Sequence, residues 1–316
     1  MKVLVTGSSG FIGFHLCKHL LSKNYTVLGI DNHNKYYSTK IKNKRLSLLL
    51  EKSKFTFKKI DLTNKKKIDL LFKKFKPSII FHLAGQPGVL YSFENPKSYY
   101  TNNVKATKNL CLIAKKYKIS KFIFGSSSSV YGDQKKFPIK ENFTLKPKNV
   151  YAKTKRLSEK LVFKTFSNIK VNFLIFRFFT VYGPFGRPDM FIHKLLNSLK
   201  KNLKIKLHNN GLNYRDFTFV DDVVEVLEKS ININSNNKII NICSSKPIIT
   251  IDLVNSILNK FNYKTLKIIK SPSVRGEMLK THGSNVRLKK IFNKTKFTNI
   301  NTGLKKTIIS FKKFGY

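Results

Sequence analysis

The stretch Lys2-Val3-Leu4-Val5-Thr6-Gly7-Ser8-Ser9-Gly10-Phe11-Ile12-Gly13 decides the fold of this chain of 316 residues. Its apolar first half is typical of a buried parallel strand, and its second half is a glycine-rich turn that opens a segment with helical spacing. Gly7, Gly10 and Gly13 allow unusual backbone angles, close approach of the backbone to a pyrophosphate, and tight packing of helix on strand. The N–H groups and partial positive charge of a helix N-terminus attract the same anion. We therefore predict that this turn, together with Phe11 and Ile12, binds a dinucleotide.

Asp31 ends the second apolar run, Tyr25 to Ile30, and bears on the choice of cofactor. A carboxylate at this point accepts hydrogen bonds from both ribose hydroxyls and repels a 2′-phosphate, which favours NAD over NADP. The alternative is an Asp that only caps a helix. Asp61 and Leu62 follow the third apolar run, where an adenine could be held.

Apolar runs alternate with helical patterns from residue 1 to about 179, including a long amphipathic helix predicted over 96–117. This alternation predicts an α/β fold, with a Rossmann-type doubly wound parallel sheet and right-handed crossovers. The regular alternation of apolar runs and helical patterns ends after about Thr180, at a loop with Pro184, Gly186 and Pro188. We expect a NAD-binding domain at 1–179 and a smaller substrate-binding lobe at 180–316, with some segments returning to the first domain. The Asn-rich stretch 231–238 is predicted to be a surface loop.

The formal net charge is +46, from 62 Lys and Arg against 16 Asp and Glu. Such a charge is typical of proteins that bind nucleic acid or an anionic surface. However, the lysines are spread along the whole chain, and Asn, Ile, Phe and Tyr are abundant too, which favours a bias of composition. We predict no specific nucleic-acid partner, although the charge should speed the arrival of an anionic substrate at low salt.

The cysteines Cys17, Cys111 and Cys243 are widely spaced and form no CxxC pair, so they predict neither a disulfide framework nor a metal site. No signal peptide fits the start of the chain. The longest apolar stretch, Val171 to Tyr182, is too short to cross a membrane and contains Arg177. We expect a cytoplasmic protein without a membrane partner.

Tyr151-Ala152-Lys153-Thr154-Lys155 contains Tyr-x-x-x-Lys, which places the two side chains on one helix face. An ammonium beside a phenol lowers the pKa of the phenol and makes it a general base. In a lysine-rich chain the Tyr-x-x-x-Lys pattern alone is weak evidence for a catalytic pair, because it occurs by chance. The run KFIFGSSSSVYG, from Lys121 to Gly132, strengthens it, because it delivers hydroxyls to the edge of the sheet where ligands bind in such folds.

With these motifs in place, the chain resembles an extended short-chain dehydrogenase/reductase, and most of all the UDP-glucuronate 4-epimerase branch of the nucleotide-sugar epimerases. The likeness covers almost the whole chain, and RFFTVYGPFGRPDM is its most specific block. The matching segments are the glycine turn, Phe81–Gln86, Tyr91–Pro96, the serine run, Tyr151–Lys155, Arg177–Met190 and Arg215–Asp222.

The resemblance implies NAD-dependent C4 epimerisation of a UDP-sugar, in particular of UDP-glucuronate to UDP-galacturonate, through a transient 4-keto sugar. Tyr151 would remove the proton of the 4-hydroxyl, and hydride would leave C4 for NAD and return to the other face. Lys155 would bind the nicotinamide ribose, and Ser127 would contact the 4-oxygen. Ala84 and Asn103 would lie near the cofactor.

A 4-keto uronate is a β-keto acid that loses CO₂ when its carboxylate aligns with the ketone. The resemblance implies that Ser127, Ser128 and Thr180 hydrogen-bond the carboxylate and keep it in an orientation that is not aligned with the ketone. Arg187 would either be its charge partner or brace its own loop. Four further residues complete the implied substrate site: Asp189 and Met190 beside Arg187, Arg215 as a grip on the diphosphate, and Arg275. Arg215 could instead form a salt bridge with Asp216 or Asp221.

Three positions depart from the family pattern. Leu90 stands where a basic residue is usual, the turn at 273–278 lacks the usual proline-glycine-aspartate, and Ser284 replaces an aspartate. The register of Arg275 is therefore open.

Several alternatives remain at the level of sequence. One is a UDP-glucose/UDP-galactose-type 4-epimerase. Dehydratases and decarboxylases of the superfamily carry an acid in the serine run, where this chain has Ser128 and Ser129. A different class, a catalytically inactive basic Rossmann binding protein, rests on the charge alone. The resemblance also implies a homodimer formed through the helices at 96–117 and 151–167.

Overall fold

The computed structural model describes residues 1–233, 238–261 and 266–315. Part of the predicted surface loop at 231–238, namely 234–237, lies outside the described residues. The strands are β1 Lys2–Thr6, β2 Thr26–Asp31, β3 Phe55–Lys59, β4 Ile79–His82, β5 Lys121–Ser127, β6 Asn172–Phe178, β7 Thr180–Tyr182, β8 Ile205–His208, β9 Tyr214–Phe219, β10 Lys238–Ile242, β11 Pro247–Ile249 and β12 Ile268–Ser271. The helices are α1 Phe11–Ser22, α2 Thr39–Leu50, α3 Lys65–Phe75, α4 Tyr91–Glu94, α5 Pro96–Tyr99, α6 Ala106–Lys116, α7 Val150–Phe166, α8 Phe191–Lys200, α9 Val220–Lys229, α10 Thr250–Lys260, α11 Val286–Phe292 and α12 Ile300–Phe314.

Seven strands form one parallel sheet in the order β10-β6-β5-β4-β1-β2-β3. Its central strands are continuous apolar runs because helices cover both faces. One buried cluster packs α1 and α9 against the sheet, and a second packs α3, α6 and α7 against the other face. The predicted Rossmann-type doubly wound sheet is confirmed.

The chain leaves this sheet at Phe179, between β6 and β7. Beyond it, β11, β9 and β7 form a three-stranded sheet, and β12 pairs with β8. A separate apolar cluster packs these strands against α8, α10 and α12. Strand β10 returns to the large sheet and pairs with β6, from Lys238 opposite Leu174 to Ile242 opposite Phe178.

Two elements differ from the prediction at the places where polar residues interrupt an apolar pattern. The helical stretch beginning at Pro96 contains a π-helical segment, Tyr100–Lys105, between α5 and α6. The sequence predicts a strand from Lys121 to Phe124, but strand β5 runs three residues further, because Gly125, Ser126 and Ser127 still pair with β6. The serine run therefore begins inside the sheet.

Candidate active site

The glycine turn between β1 and α1 has no room for larger side chains. Gly7 adopts φ +72°, and a Cβ on it would lie 2.9 Å from the backbone of Ala84. A Cβ on Gly13 would lie 2.1 Å from the Gly7 carbonyl oxygen. The turn thus requires glycine for backbone angle and for close packing, as expected of a pyrophosphate-binding turn.

Helix α1 begins with its backbone N–H groups free for a ligand. Its N-cap residue is Gly10, no side chain caps it, and the first turn contains no acidic residue. Such an end binds an anion through N–H groups and the helix dipole. Gly7, Gly10, Phe11, Ile12 and Gly13 all line one large cavity.

Two carboxylates stand along the same cavity at the ends of β2 and β3. Asp31 accepts hydrogen bonds from the backbone N–H groups of Ser9 (3.2 Å) and His33 (2.8 Å). Burial alone would raise the pKa of Asp61, but hydrogen bonds from Thr63 and Asn32 hold that pKa below its usual value. Both groups therefore offer acceptors to ribose hydroxyls or to a base, and they fit NAD.

Leu62 and Ala84 line the cavity next to these carboxylates. Asn103, which the resemblance put near the cofactor, is 2% exposed and faces the protein. Its amide accepts from the Gln86 N–H at 2.6 Å and donates to the Thr154 hydroxyl at 3.0 Å. Asn103 therefore ties the end of β4 to helix α7.

Tyr151, at the start of α7, lines the cavity together with Ser127, at the end of β5. Burial raises the pKa of Tyr151, while the Ser127 bond and the charge of Arg187 oppose that rise. From the sequence, Lys155 was expected to lower the pKa of Tyr151. In the structure, the Lys155 ammonium instead donates to the Gly125 carbonyl oxygen at 2.7 Å. The phenol is therefore tuned here by Ser127 and Arg187.

Lys155 is 6% exposed and lies over the ring of Phe124. Burial lowers its pKa to about 8, and the nearby charge of Glu159 limits the drop. Glu159 in turn forms a buried ion pair with Arg177, at 2.7 Å, and accepts from the Ser126 hydroxyl. This pair joins α7 to β5 and β6 beneath the reactive hydroxyls.

A further part of the cavity lining contains hydroxyls and a cation that is paired with a carboxylate. Ser128, Thr180 and Met190 line the cavity together with Ser127. Arg187 forms a two-point ion pair with Asp189, with Nε 3.0 Å from Oδ1 and Nη2 bonded to Oδ2. The carboxylate of Asp189 therefore already engages the guanidinium.

The two other predicted arginines differ in position. Arg215 lines the cavity and pairs with Glu277 at 2.9 Å, which is neither of the two partners considered from sequence. Burial lowers the pKa of Arg215, and Glu277 opposes that drop. Arg275 is exposed, stacks on the ring of Phe93 at 5.5 Å, and is not among the residues that line the cavity.

Sequence reasoning missed cavity residues of the β2–α2 loop, of helix α2 and of strand β8. They are Tyr36, Tyr37, Lys42, Lys206 and His208. It also missed Arg45, which is wholly buried and donates to the carbonyl oxygens of Ser9 and Phe185, thus joining the glycine turn to the 183–190 loop. The pair Tyr36-Tyr37, just after Asp31, was the available signal.

The cavity has a volume of about 720 Å³ and extends from the glycine turn past Tyr151 to Arg215. In residues 1–233, 238–261 and 266–315, every helix is too short or too polar to span a lipid bilayer. These residues also contain no group of three or more His, Cys, Asp or Glu side chains placed to hold a metal ion.

A dinucleotide turn beside a Tyr–Ser–Lys set defines a class of NAD-dependent enzymes, and comparison with known proteins specifies it. Residues 3–243 match the NAD dependent epimerase/dehydratase family. The chain belongs to this family, so the predictions of an NAD-dependent epimerase-type enzyme and of NAD as cofactor are confirmed.

Individual relatives span nearly the whole chain. UDP-glucuronate 4-epimerase of Thermodesulfobacterium geofontis is 33% identical over 306 residues, which cover 96% of this chain and 94% of the relative. An uncharacterized UDP-glucose epimerase of Bacillus subtilis, YtcB, is 39% identical over 227 residues, 71% of each chain. The crystal structure of UDP-glucuronic acid 4-epimerase from Bacillus cereus, in complex with UDP-glucuronic acid and NAD, matches with a TM-score of 0.94 at 31% identity, over 99% of both chains.

Proposed function

We propose that this enzyme interconverts UDP-glucuronate and UDP-galacturonate by epimerisation at C4. The observation that carries the proposal is a single cavity that joins the dinucleotide turn, Tyr151 and Ser127, and the further hydroxyls of Ser128 and Thr180. The similarity to the two UDP-glucuronate 4-epimerases supports the choice of sugar.

In the proposed reaction Tyr151 takes the proton of the sugar 4-hydroxyl, and Ser127 hydrogen-bonds the same oxygen. NAD, when bound, supplies the hydride acceptor and a positively charged ring. Lys155 contributes an ammonium at the floor of the site, close to the carboxyl end of β5. Burial opposes ionisation of the Tyr151 phenol, whereas Ser127 and the charge of Arg187 favour the phenolate that accepts the proton of the 4-hydroxyl and returns it at the end of the cycle.

The carboxylated sugar must keep its CO₂ while C4 is a ketone. We propose that Ser127, Ser128 and Thr180 hold the carboxylate by hydrogen bonds in an orientation that keeps its C–C bond out of line with the ketone. Asp189, Met190 and Arg215 line the same cavity, and we assign Arg215 to the diphosphate. Arg275, being exposed, is assigned no contact.

The test is incubation of the pure protein with UDP-glucuronate, with the product read by NMR and CO₂ measured separately. We expect UDP-galacturonate and no CO₂. A UDP-pentose product would contradict epimerisation, and turnover of UDP-glucose but not of UDP-glucuronate would contradict the choice of sugar.

The second candidate is a 4-epimerase of neutral UDP-hexoses. It is favoured by one observation, the ion pair of Arg187 with Asp189, which reduces the positive charge that Arg187 presents to a carboxylate. The similarity to the Bacillus subtilis UDP-glucose epimerase agrees with it. The same NMR assay with UDP-glucose distinguishes the two candidates.

We also propose that residues 1–179 form the cofactor domain and that 180–316 mainly hold the nucleotide sugar. Two copies would associate through the helices at 96–117 and 151–167, whose exposed Tyr100, Leu112 and Leu157 support an interface. Light scattering of the purified protein tests the dimer. The buried free thiols Cys17, Cys111 and Cys243 support action in the reducing cytoplasm.

A further inference from the structure

Two segments far apart in sequence meet at Asp189. The Tyr36 hydroxyl, from the β2–α2 loop, donates to Asp189 Oδ2 at 3.2 Å, and the same oxygen accepts from Arg187. The side chains of Arg187 and Asp189 are 19% and 25% exposed, so the ion pair is only partly shielded from solvent. Asp189 therefore accepts hydrogen bonds from two donors at once, one from each segment.

The Tyr36 hydroxyl has little freedom to leave this position. Its ring packs against Tyr91 at a centroid distance of 5.1 Å. A Cβ on Gly88 would lie 2.2 Å from the Tyr36 hydroxyl oxygen, so the glycine makes the space that the hydroxyl occupies. Burial and the charge of Asp189 raise the pKa of Tyr36 to about 12, so this hydroxyl remains a donor at neutral pH.

The charge of Arg187 reaches the reactive part of the cavity. It opposes the rise in the pKa of Tyr151 and acts on Tyr99 in the same sense. Lys42 and Arg45, on helix α2, are also within its field. The guanidinium lines the cavity, and its pairing with Asp189 determines how much positive charge Arg187 adds to that of the other cations in the lining.

We infer that Tyr36 and Asp189 are positioning residues that hold Arg187 in a neutralised pair, and so limit how strongly the sugar pocket favours a carboxylated over a neutral sugar. The inference rests on the proposed function for its choice of ligands. Its consequence is that hydroxyls, rather than a free guanidinium, carry the binding of the sugar carboxylate. The carboxylate is then held by directional bonds rather than drawn to a point charge.

The test measures binding, which does not require turnover. In NAD-loaded Tyr151→Phe protein, calorimetry gives Kd for UDP-glucuronate and for UDP-glucose. Asp189→Asn in that background frees Arg187, and we expect the affinity ratio of UDP-glucuronate to UDP-glucose to rise about five- to tenfold, as for a partly shielded charge pair. An unchanged or smaller ratio overturns the inference. Asp189→Glu is expected to restore the original ratio.

A double-mutant cycle identifies the role of Tyr36. Tyr36→Phe should raise the ratio modestly when Asp189 is present and have no effect when residue 189 is Asn, because Tyr36 acts through that carboxylate. Tyr37→Phe is the matched control, since the Tyr37 hydroxyl contacts Arg45 and not Asp189, and its effect should be equal in both backgrounds. Equal effects of Tyr36→Phe in both backgrounds overturn the inference. Failure of the proposed function is read separately, from turnover of the wild-type enzyme.

Discussion

At Tyr151, burial and the neighbouring polar groups shift the pKa of the phenol in opposite directions. Burial raises the pKa, whereas the Ser127 bond and the Arg187 charge lower it. The residue types and the Tyr-x-x-x-Lys spacing were enough to predict which side chains meet at this site. The spacing could not predict that Lys155 bonds the Gly125 carbonyl, because that contact depends on how far strand β5 extends.

Replacement of the phenol tests its role directly. We expect Tyr151→Phe to lower the rate of epimerisation by about 10²–10⁴-fold, since proton transfer loses its donor and acceptor. UDP-glucuronate binding should remain within a few fold of the wild type, because the ring is unchanged. NMR of the product and calorimetry make the two measurements. Near-normal turnover by this variant would exclude Tyr151 as the base.

At the scale of the element, the turn between β1 and α1 was the most predictable part of the molecule. Although Gly7 also packs against the distant Ala84, the contact of Gly13 with the Gly7 carbonyl oxygen lies within the turn and follows from local sequence. The contacts that complete the cavity wall do not. Tyr36 meets Asp189 across 153 residues and Arg215 meets Glu277 across 62, so only the tertiary packing of the chain decides these contacts.

Gly13→Ala tests the close packing of this turn. The added methyl group would lie 2.1 Å from the Gly7 carbonyl oxygen and force α1 away from the turn. We expect a loss of about 1–3 kcal/mol of stability and a marked loss of bound NAD. Thermal unfolding and the NAD content of the purified protein measure both effects. Lys18→Ala, at an exposed position of the same helix, is the control. Full NAD content and normal stability in Gly13→Ala would show that the turn is not closely packed.

At the scale of the whole molecule, buried titratable groups link stability to pH. Burial lowers the pKa values of His15 and His82 to about 3 and of His193 to about 4. Below pH 6.5 the unfolded chain protonates these histidines and the folded chain does not, so stability falls as pH falls. Asp216 acts in the opposite sense, since burial raises its pKa to about 6 and the folded state keeps that proton.

For these four groups the expected balance is a net uptake of about two protons on unfolding between pH 6 and 5. His19, His33 and His282, whose pKa values burial also lowers, act in the same direction. Stability should then fall by roughly 2–3 kcal/mol over that unit of pH. Urea unfolding at several pH values measures the slope. His82→Gln, whose amide can still bond the Thr6 hydroxyl, should flatten it by one proton. Stability that is constant or higher at pH 5 would refute the linkage.

The net charge of +46 gives a prediction for kinetics rather than for fold. An anionic nucleotide sugar should be steered to the enzyme at low ionic strength, and salt screens this attraction. We expect kcat/KM to fall about three- to tenfold between 20 and 200 mM NaCl, as roughly expected for steered association. Steady-state kinetics provides the measurement, with kcat as the internal control. A kcat/KM value independent of salt would assign the lysines no kinetic role.

Strand β10 has a consequence for the synthesis of the protein. It is the outermost strand of the large sheet, yet it follows the first three strands of the smaller lobe in the chain. While a ribosome is making residues 180–237, the backbone groups along the free side of β6 have no strand to bond. The seven-stranded sheet therefore cannot be completed by the residues that precede β10. A nascent chain that stops before Ile242 exposes an unpaired strand edge, which is a site for chaperones or for aggregation.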